Sequence, residues 1–257
     1  MENAKKTDGV NGNRLDALRG ALRPVSSGID PKTYSESQAA SAREALLYLF
    51  NSGSKGTLKL RGQIKYTLKD IEAICPIIGA NWNTGKFISN AINNIIQEGD
   101  VVTLNFGGRI VDNLGSHLKC GTVIIDGDAG NCVGLSMNGG SIVVKGDTGS
   151  SVGEFMTGGS IAVNGNAGHE VGYYMRGGRI EIGRNAENLV GEYMTGDSIE
   201  VKGDVGSDLG YLSKGGKINV GGKIGRISSE CRANVYRNGK RISGVRLWRI
   251  THMSRSQ

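Results

Sequence analysis

Histidine and cysteine are the side chains most often used in nucleophilic, acid–base and metal chemistry, and this chain has few of either. The histidines are His117, His169 and His252. The cysteines are Cys75, Cys120, Cys132 and Cys231. No C-x-x-C pair, H-E-x-x-H motif or P-loop occurs in the sequence. We therefore predict solvated histidines, reduced cysteines that fill small spaces, and no catalytic or metal-binding residue.

Acidic and amide side chains that stand among glycines are a second group that could do chemistry. They are Asp126, Asp128, Asp147, Asn166 and Asp204. Calcium-binding β-helices use a denser Gly-Gly-x-Gly-x-Asp repeat, and one carboxylate per turn falls short of the roughly six to eight oxygens that calcium takes. A dinucleotide site needs a helix directly after its glycines, whereas a strand pattern follows here. We therefore predict turn residues at these positions, with no cofactor bound by this chain.

The C-terminal residues 236–257 form a basic tail that contains no acid and carries most of the net charge of +7. Its candidate residues for contact with a partner or an anion are Arg237, Lys240, Arg241, Arg246, Trp248 and Arg249. Asn238-Gly239 predicts a hairpin with a type I′ turn. We expect an end cap that docks on a partner. The alternative is contact with an acidic surface such as nucleic acid, because spaced cations beside an aromatic ring can meet phosphates.

A sequence repeat of constant length positions all of these groups. It aligns with itself seven times, in 19-residue lines that begin at Thr103, Thr122, Ser141, Ser160, Arg179, Ser198 and Lys217. Positions 2 and 4 are apolar in every line. Position 13 is glycine in six of the seven lines: Gly115, Gly134, Gly153, Gly172, Gly191 and Gly210. A fixed period near 20 predicts a solenoid.

Each line opens with alternating apolar and polar residues, which predicts a short strand with one buried face. Glycines at positions 6 and 9 predict corners, so one line is expected to form a coil of about three short strands. The fifth line departs from this pattern. It places Arg184 and Glu187 where corner glycines are expected, which predicts either a bulge or a contact surface.

The motif G-D-x-G-x-x-V-G-x-x-M-x-G-G-x-I-x-V, which runs from Gly146 to Val163, resembles the GXGXG family. That family includes the C-terminal domain of the glutamate synthase large subunit. It also includes the C subunit of formylmethanofuran dehydrogenase and that of the related formyltransferase/hydrolase complex. The resemblance covers about half of the chain. It implies an all-β solenoid, a right-handed single-stranded β-helix of about seven 19-residue coils, which serves as a scaffold between catalytic domains or subunits.

The rest of the chain is expected to flank this solenoid. A helix that Ser35 opens, a strand at Thr57–Arg61, and two helices that begin near Thr67 and Asn83 predict a small helical cap for one open end. The expected divisions are a flexible segment at 1–34, an α-rich capping subdomain at 35–102, the β-helix at 103–235 and the basic tail at 236–257.

The resemblance implies a non-catalytic scaffold subunit whose catalytic partners carry FMN, iron–sulfur or molybdenum/tungsten cofactors. A glutamate synthase-like assembly is expected first, and the C subunit of a formylmethanofuran dehydrogenase or formyltransferase/hydrolase complex is the alternative. Two other classes stay open: a stand-alone protein- or nucleic-acid-binding module, and an enzyme in its own right. The sequence has no apolar run of about 18 residues and no signal-peptide pattern, so we expect a cytoplasmic protein without membrane contact.

Overall fold

The computed structural model describes residues 67–78 and 83–242. The helix and strand predicted before Thr67, and the tail residues Arg246, Trp248 and Arg249, lie outside the described residues. The helices are α1 (Leu68–Ile74) and α2 (Thr84–Asn93). The strands are β1 (Val101–Leu104), β2 (Thr122–Ile125), β3 (Asn138–Val144), β4 (Gly158–Val163), β5 (Arg179–Ile182), β6 (Ser198–Val201), β7 (Lys217–Val220), β8 (Asn234–Arg237) and β9 (Lys240–Arg241). Neither described helix has the length and apolar character needed to cross a lipid bilayer.

The nine strands form one sheet in chain order, in which β1 to β8 are parallel and β9 pairs antiparallel with β8. From β2 to β7 the strands pair in the register of the sequence repeat, so that Ser141 lies beside Ser160 and Ser160 beside Arg179. One strand per coil, repeated at this spacing, confirms the predicted solenoid of seven coils. Its right-handed winding stays a prediction.

The first coil is longer than predicted. Val101 pairs with Thr122 and Val102 with Val123, so this coil is two residues longer than the regular repeat. The alignment that began at Thr103 was therefore wrong by two residues in this strand. The extra residues lie before Leu114, in a turn where Gly107 and Gly108 both have positive φ, and the spacing is regular after it.

The last coil is two residues shorter than the regular repeat, because Lys217 pairs with Asn234. Strand β8 therefore runs two residues past the predicted end of the β-helix at Val235. The hairpin predicted for the tail is confirmed. Asn238 has φ 48° and Gly239 has φ 75°, both left-handed as a type I′ turn requires, and β9 then pairs with β8.

Helix α1 lies against the open edge of the first coil. The helix begins near Thr67 as predicted, and its N-terminus has a capping box in which Thr67 and Asp70 each bond the other's backbone N–H. The Glu72 carboxylate accepts the backbone N–H of Thr103 at 2.6 Å, which satisfies a donor that no neighbouring strand can reach. Helix α1 therefore caps the solenoid in the way that the sequence predicts.

Helix α2 packs its apolar side into the same core. Ile88 and Ile92 are buried, and the Ser89 hydroxyl donates to the carbonyl of Asn113 at 2.9 Å. The helix approaches the first coil so closely that a side chain at Gly85 would overlap the backbone of Asp112. Together the two helices cover this end of the solenoid with buried apolar side chains.

The core consists of columns of equivalent side chains. The apolar residues of positions 2 and 4 are buried on every strand, and so are the methionines Met137, Met156, Met175 and Met194. Only one regular strand forms per coil, where about three were predicted. A second inward column forms isolated bridges between coils instead; it contains Ala129, Thr148, Ala167, Ala186, Val205 and Ile224.

The third side of each coil is a chain of left-handed corners. The six predicted glycines at position 13 have φ between 69° and 73°, and a Cβ on Gly153 would overlap the Ile180 side chain that packs above it. Residues at positions 11 and 15 also have positive φ although they are not glycine, such as Ser151 and Phe155. Alternating left-handed residues therefore replace the predicted third strand.

The Asp and Asn residues of the corners bond the next coil. Asp128 Oδ1 accepts the backbone N–H of Asp147 at 2.8 Å, and Asp147 Oδ1 accepts that of Asn166 at 2.6 Å. A Cβ at Gly146 would occupy the space of the Asp128 oxygen. The corner glycine and the acid after it therefore depend on each other from coil to coil, because glycine leaves room for the acid's oxygen from the coil below.

The fifth coil shows what happens without these glycines. Arg184 and Glu187 cause no break in register, so the predicted bulge is absent. At each of these two corners, a row of hydrogen bonds runs from coil to coil between a side chain and the next backbone N–H, and we call each row a ladder. The bonds beside Arg184 and Glu187 are the longest of their ladders: 3.2 Å from Asn185 N to Asn166 Oδ1, and 3.3 Å from Asn188 N to His169 Nδ1. A side chain at either corner therefore stretches the ladder without breaking it.

Replacing Gly153 by alanine should destabilise the protein by about 2 to 5 kcal/mol, because the new Cβ combines left-handed strain with overlap of Ile180. Gly107→Ala is the matched control. It has a similar φ of +63° and open space around it, so it should cost only about 1 to 2 kcal/mol. Thermal unfolding measured by circular dichroism compares the two, and equal losses would contradict the packing role.

Replacing Asp128 by alanine should cost about 1 kcal/mol, because the backbone N–H of Asp147 then loses its acceptor. Asp128→Asn keeps an acceptor oxygen and should change stability little. The neighbouring Asp126→Ala, which removes an exposed ion pair with Lys145 and an exposed hydrogen bond from Asn105, should have a smaller effect than Asp128→Ala. Chemical denaturation ranks the three variants, and a larger loss for Asp126→Ala would disprove the ladder's contribution.

Candidate protein-interaction face

Two of the three described cations of the basic tail bond within the hairpin that contains them or to the coil beneath it. Arg237 Nε donates to the carbonyl of Gly222 at 2.9 Å, and Arg241 donates to Asn234 Oδ1 at 2.6 Å. Lys240 is exposed at the strand end. Arg237 and Arg241 therefore hold the hairpin and the last coil together through their own hydrogen bonds.

His169, Cys75 and Cys132 show the surroundings in which histidine and cysteine lie in this fold. His169 Nδ1 accepts the backbone N–H of Asn188, and its Nε2 lies 2.6 Å from Glu187 Oε2. The His169 ring therefore pairs with a carboxylate at the surface. Burial raises the pKa of Cys75 to about 12. Burial and the nearby Glu154 charge raise the pKa of Cys132 to about 11, so both thiols stay protonated at neutral pH. Within residues 67–78 and 83–242, no group of three or more acidic, histidine or cysteine side chains could hold a metal ion.

The feature that these residues do not explain is a row of aromatic rings along one corner of the solenoid. We call it the tyrosine face, and it consists of Phe155, Tyr173, Tyr174, Tyr193 and Tyr211. Three of its members occupy position 15 of successive coils, and the other two occupy position 14. The constant length of the coils therefore stacks the rings one above another.

The rings pack mainly on one another. Tyr174 and Tyr193 are stacked with centroids 4.5 Å apart and planes 9° apart, and Phe155 stacks on Tyr174 at 5.6 Å. Tyr173 meets Tyr174 edge-on at 4.7 Å. Phe155 ends this stack with 42% of its surface exposed. The result is a rigid aromatic surface whose shape the backbone fixes in advance.

The left-handed backbone turns these side chains outward. Phe155, Tyr174 and Tyr193 have φ of 54°, 51° and 53°, which is unfavourable for a bulky residue by about 1 to 2 kcal/mol. Each of the first six coils places its position 15 in this region, so the strain belongs to the fold. What distinguishes these three coils is that aromatic rings occupy the strained position.

Carboxylates flank the rings. Position 14 alternates between acid and tyrosine in the order Glu154, Tyr173, Glu192 and Tyr211. Glu170, one coil before Glu192, accepts a hydrogen bond from the Ser151 hydroxyl at 3.1 Å. No described lysine or arginine forms an ion pair with Glu154, Glu170 or Glu192.

Glu192 has the least favourable environment of these acids. It is only 9% exposed, and among the described residues no donor bonds its carboxylate. Burial raises its pKa, and the charge of Glu170 raises it further. Burial likewise raises the pKa of Tyr173 and of Tyr193. The face therefore holds negative charge in a partly dehydrated aromatic surface without a counter-charge from the described residues.

The sequence analysis missed this face, although the signal was present. Aligning the lines places Phe155, Tyr174 and Tyr193 in one column and the alternating acids in the column before it. Four of the eight tyrosines of the chain lie between Tyr173 and Tyr211. The glycine and aliphatic columns indicate the fold, whereas the aromatic column faces away from the core and adds nothing to the fold prediction.

Comparison with known proteins gives no match to a family model or to a curated protein. The resemblance to the GXGXG family therefore depends on the repeated motif of the coils.

Replacing Glu192 by glutamine should raise the unfolding temperature at pH 7. The pKa of Glu192 lies above its ordinary value of 4.5, so the folded state is stabilised by protonation below that pH and loses this stabilisation as pH rises through the folded pKa. Glutamine mimics the protonated form at every pH. Thermal unfolding at pH 7 and pH 4 should therefore show a gain that shrinks in acid.

Glu181→Gln is the control of opposite sign. Hydrogen bonds from Lys202 and Arg179 lower the pKa of Glu181, so its stabilisation is present above pH 4.5 and is lost as pH falls through the folded pKa. This variant should lose stability at pH 7 and approach the wild type in acid. If Glu192→Gln behaved in the same way as Glu181→Gln, the charge at Glu192 would be a stabilising one.

Proposed function

We propose that this chain is a non-catalytic scaffold subunit of a multisubunit enzyme complex, similar to the C-terminal domain of the glutamate synthase large subunit as a separate polypeptide. Under this proposal the flavin, iron–sulfur or molybdenum/tungsten chemistry belongs to the partner subunits. The observation that supports it is the tyrosine face, a rigid row of tyrosines on the side of a rod. Tyrosine is enriched at protein interfaces and at their energetic centres, because it covers much area and loses little entropy on binding.

The solenoid suits such a positional role. Its coils are joined by parallel backbone hydrogen bonds and by the Asp and Asn ladders, so neighbouring coils cannot shift without breaking many bonds together. The stacked rings span the third to the sixth coil. Seven coils at about 4.8 Å each give a body on the order of 34 Å long. A partner seated on this face would therefore keep a fixed distance from any partner at either end.

Affinity purification of the full-length tagged chain from its native cells tests this function. We expect stoichiometric partner subunits that carry flavin, iron–sulfur or molybdenum/tungsten absorbance. The double variant Tyr174→Ser/Tyr193→Ser should reduce their recovery about tenfold or more, because interface tyrosines at central positions contribute strongly to binding. Mass spectrometry of the partners separates a glutamate synthase-like assembly from a formylmethanofuran dehydrogenase or formyltransferase/hydrolase complex.

Tyr236→Ser is the matched control, since it removes a half-buried tyrosine from the strand side, the side of the solenoid formed by the parallel sheet. The Tyr236 ring lies there 4.9 Å from Lys217 Nζ. It should leave partner recovery unchanged. A chain that purifies alone, that retains only nucleic acid, or that turns over a substrate by itself would contradict the scaffold function.

A further inference from the structure

We propose that the tyrosine face docks an extended segment of a partner protein that carries arginine or lysine side chains, whose cations pair with Glu154, Glu170 and Glu192. The inference rests on the proposed scaffold function and names the chemistry of the partner. It follows from three properties of the face: its missing counter-charge, the packing of its rings and the spacing of its acids.

The missing counter-charge indicates a cationic partner. A carboxylate that has lost part of its hydration is destabilised unless a donor or a cation satisfies it, and Glu192, a residue with 9% of its surface exposed, has no described donor. On the strands of the sheet some acids pair with cations, as Glu200 does with Arg179 at 2.7 Å, and corner acids such as Asp128 accept backbone N–H groups. The acids of the tyrosine face lack such a pair within residues 67–78 and 83–242, and the cations of a partner would supply it.

The packing of the rings favours guanidinium groups over nucleic-acid bases. Bases bind by stacking on open aromatic faces, whereas the faces of Tyr174 and Tyr193 cover each other at 4.5 Å. The surrounding carboxylates also repel phosphates. A guanidinium group is planar and weakly hydrated. It bonds carboxylates in a bidentate manner and rests against aromatic surface, which matches both components of the face.

The spacing of the acids suggests the conformation of the segment. Glu154 and Glu192 occupy the same position two coils apart, which corresponds to about 9.6 Å along the axis. A polyproline II segment repeats every three residues with a rise of about 3.1 Å each, so its side chains return to one side every ~9.3 Å. Cations at every third residue of such a segment would therefore meet Glu154 and Glu192 in succession.

Peptide binding to the purified full-length chain tests this directly. The probe is a fluorescein-labelled peptide of four Arg-Pro-Pro repeats, measured by fluorescence anisotropy at two salt concentrations. We expect saturable binding that weakens with salt, and about a tenfold or greater loss of affinity in Glu170→Gln/Glu192→Gln. The glutamate counterpart of the peptide should not bind. A peptide of the same composition with its arginines consecutive should bind more weakly.

Glu181→Gln/Glu200→Gln is the matched control, because it removes the same two charges from the strand side. It should leave peptide affinity unchanged, and circular dichroism confirms that both double variants are folded. Equal losses in the two double variants would show charge attraction without a site and overturn the proposal. Binding of the glutamate peptide, or of neutral oligosaccharides in place of the arginine peptide, would also overturn it.

The same variants separate this inference from the scaffold function. If the partners co-purify equally well with Glu170→Gln/Glu192→Gln, the face does not bind cationic side chains of the partner. The scaffold function is not contradicted by that result. If no partner co-purifies with the wild type, the scaffold function fails, and the peptide titration still decides whether the face binds cationic segments.

Discussion

The structure depends on one constraint: each coil must return its backbone to the same place one strand spacing higher. Along the corners, a coil of this fold satisfies its amide groups largely through its neighbours. Gly134 N–H donates to the carbonyl of Leu114 in the coil below, while Cys132 N–H donates to that of Ser150 in the coil above. Equal coil length keeps all of these bonds in register at once. The number of residues per coil is therefore nearly constant, although the side chains differ from coil to coil. It departs from 19 only in the first and last coils.

Side-chain identity then follows from what each position meets in the next coil. Gly146 is small because the Asp128 oxygen lies against it, and Gly153 is small because Ile180 packs there. The fifth coil shows that these requirements differ in strength. Arg184 is tolerated at a corner at the expense of one longer hydrogen bond, whereas every position-13 residue from Gly115 to Gly210 combines a left-handed φ with a close contact.

The same logic sets how much the sequence could predict. Columns that recur seven times identified the solenoid, its strand and its six corner glycines, and helix-start signals near Thr67 and Asn83 identified the two described helices. The register of the first coil was wrong because a shift of two residues keeps the same strand face buried, so Leu104 and Phe106 fit the apolar columns as well as Val102 and Leu104 do. The third side was predicted as a strand because only position 13 shows its left-handed backbone as glycine, whereas positions 11 and 15 adopt the same conformation with other residues.

The tyrosine face lay beyond prediction for a different reason. Its columns can be read from the sequence, but its meaning depends on which charges lack a partner, and this is a property of three-dimensional neighbours. The chain has 31 lysines and arginines against 24 acids, so composition alone predicts that every carboxylate can find a cation. On the strand side Arg179 and Lys202 do neutralise Glu181.

At the left-handed corner the fold instead places Glu170 near Glu192 beside half-buried rings. No cation of the described coils forms an ion pair with these two carboxylates. Arg179 and Lys202 pair with Glu181 and Glu200 on the strands instead. A buried charge that costs stability persists where it contributes to function, because selection retains stability only above what function requires. The unrelieved charge of this corner is therefore the observation on which the proposed docking of a cationic segment depends.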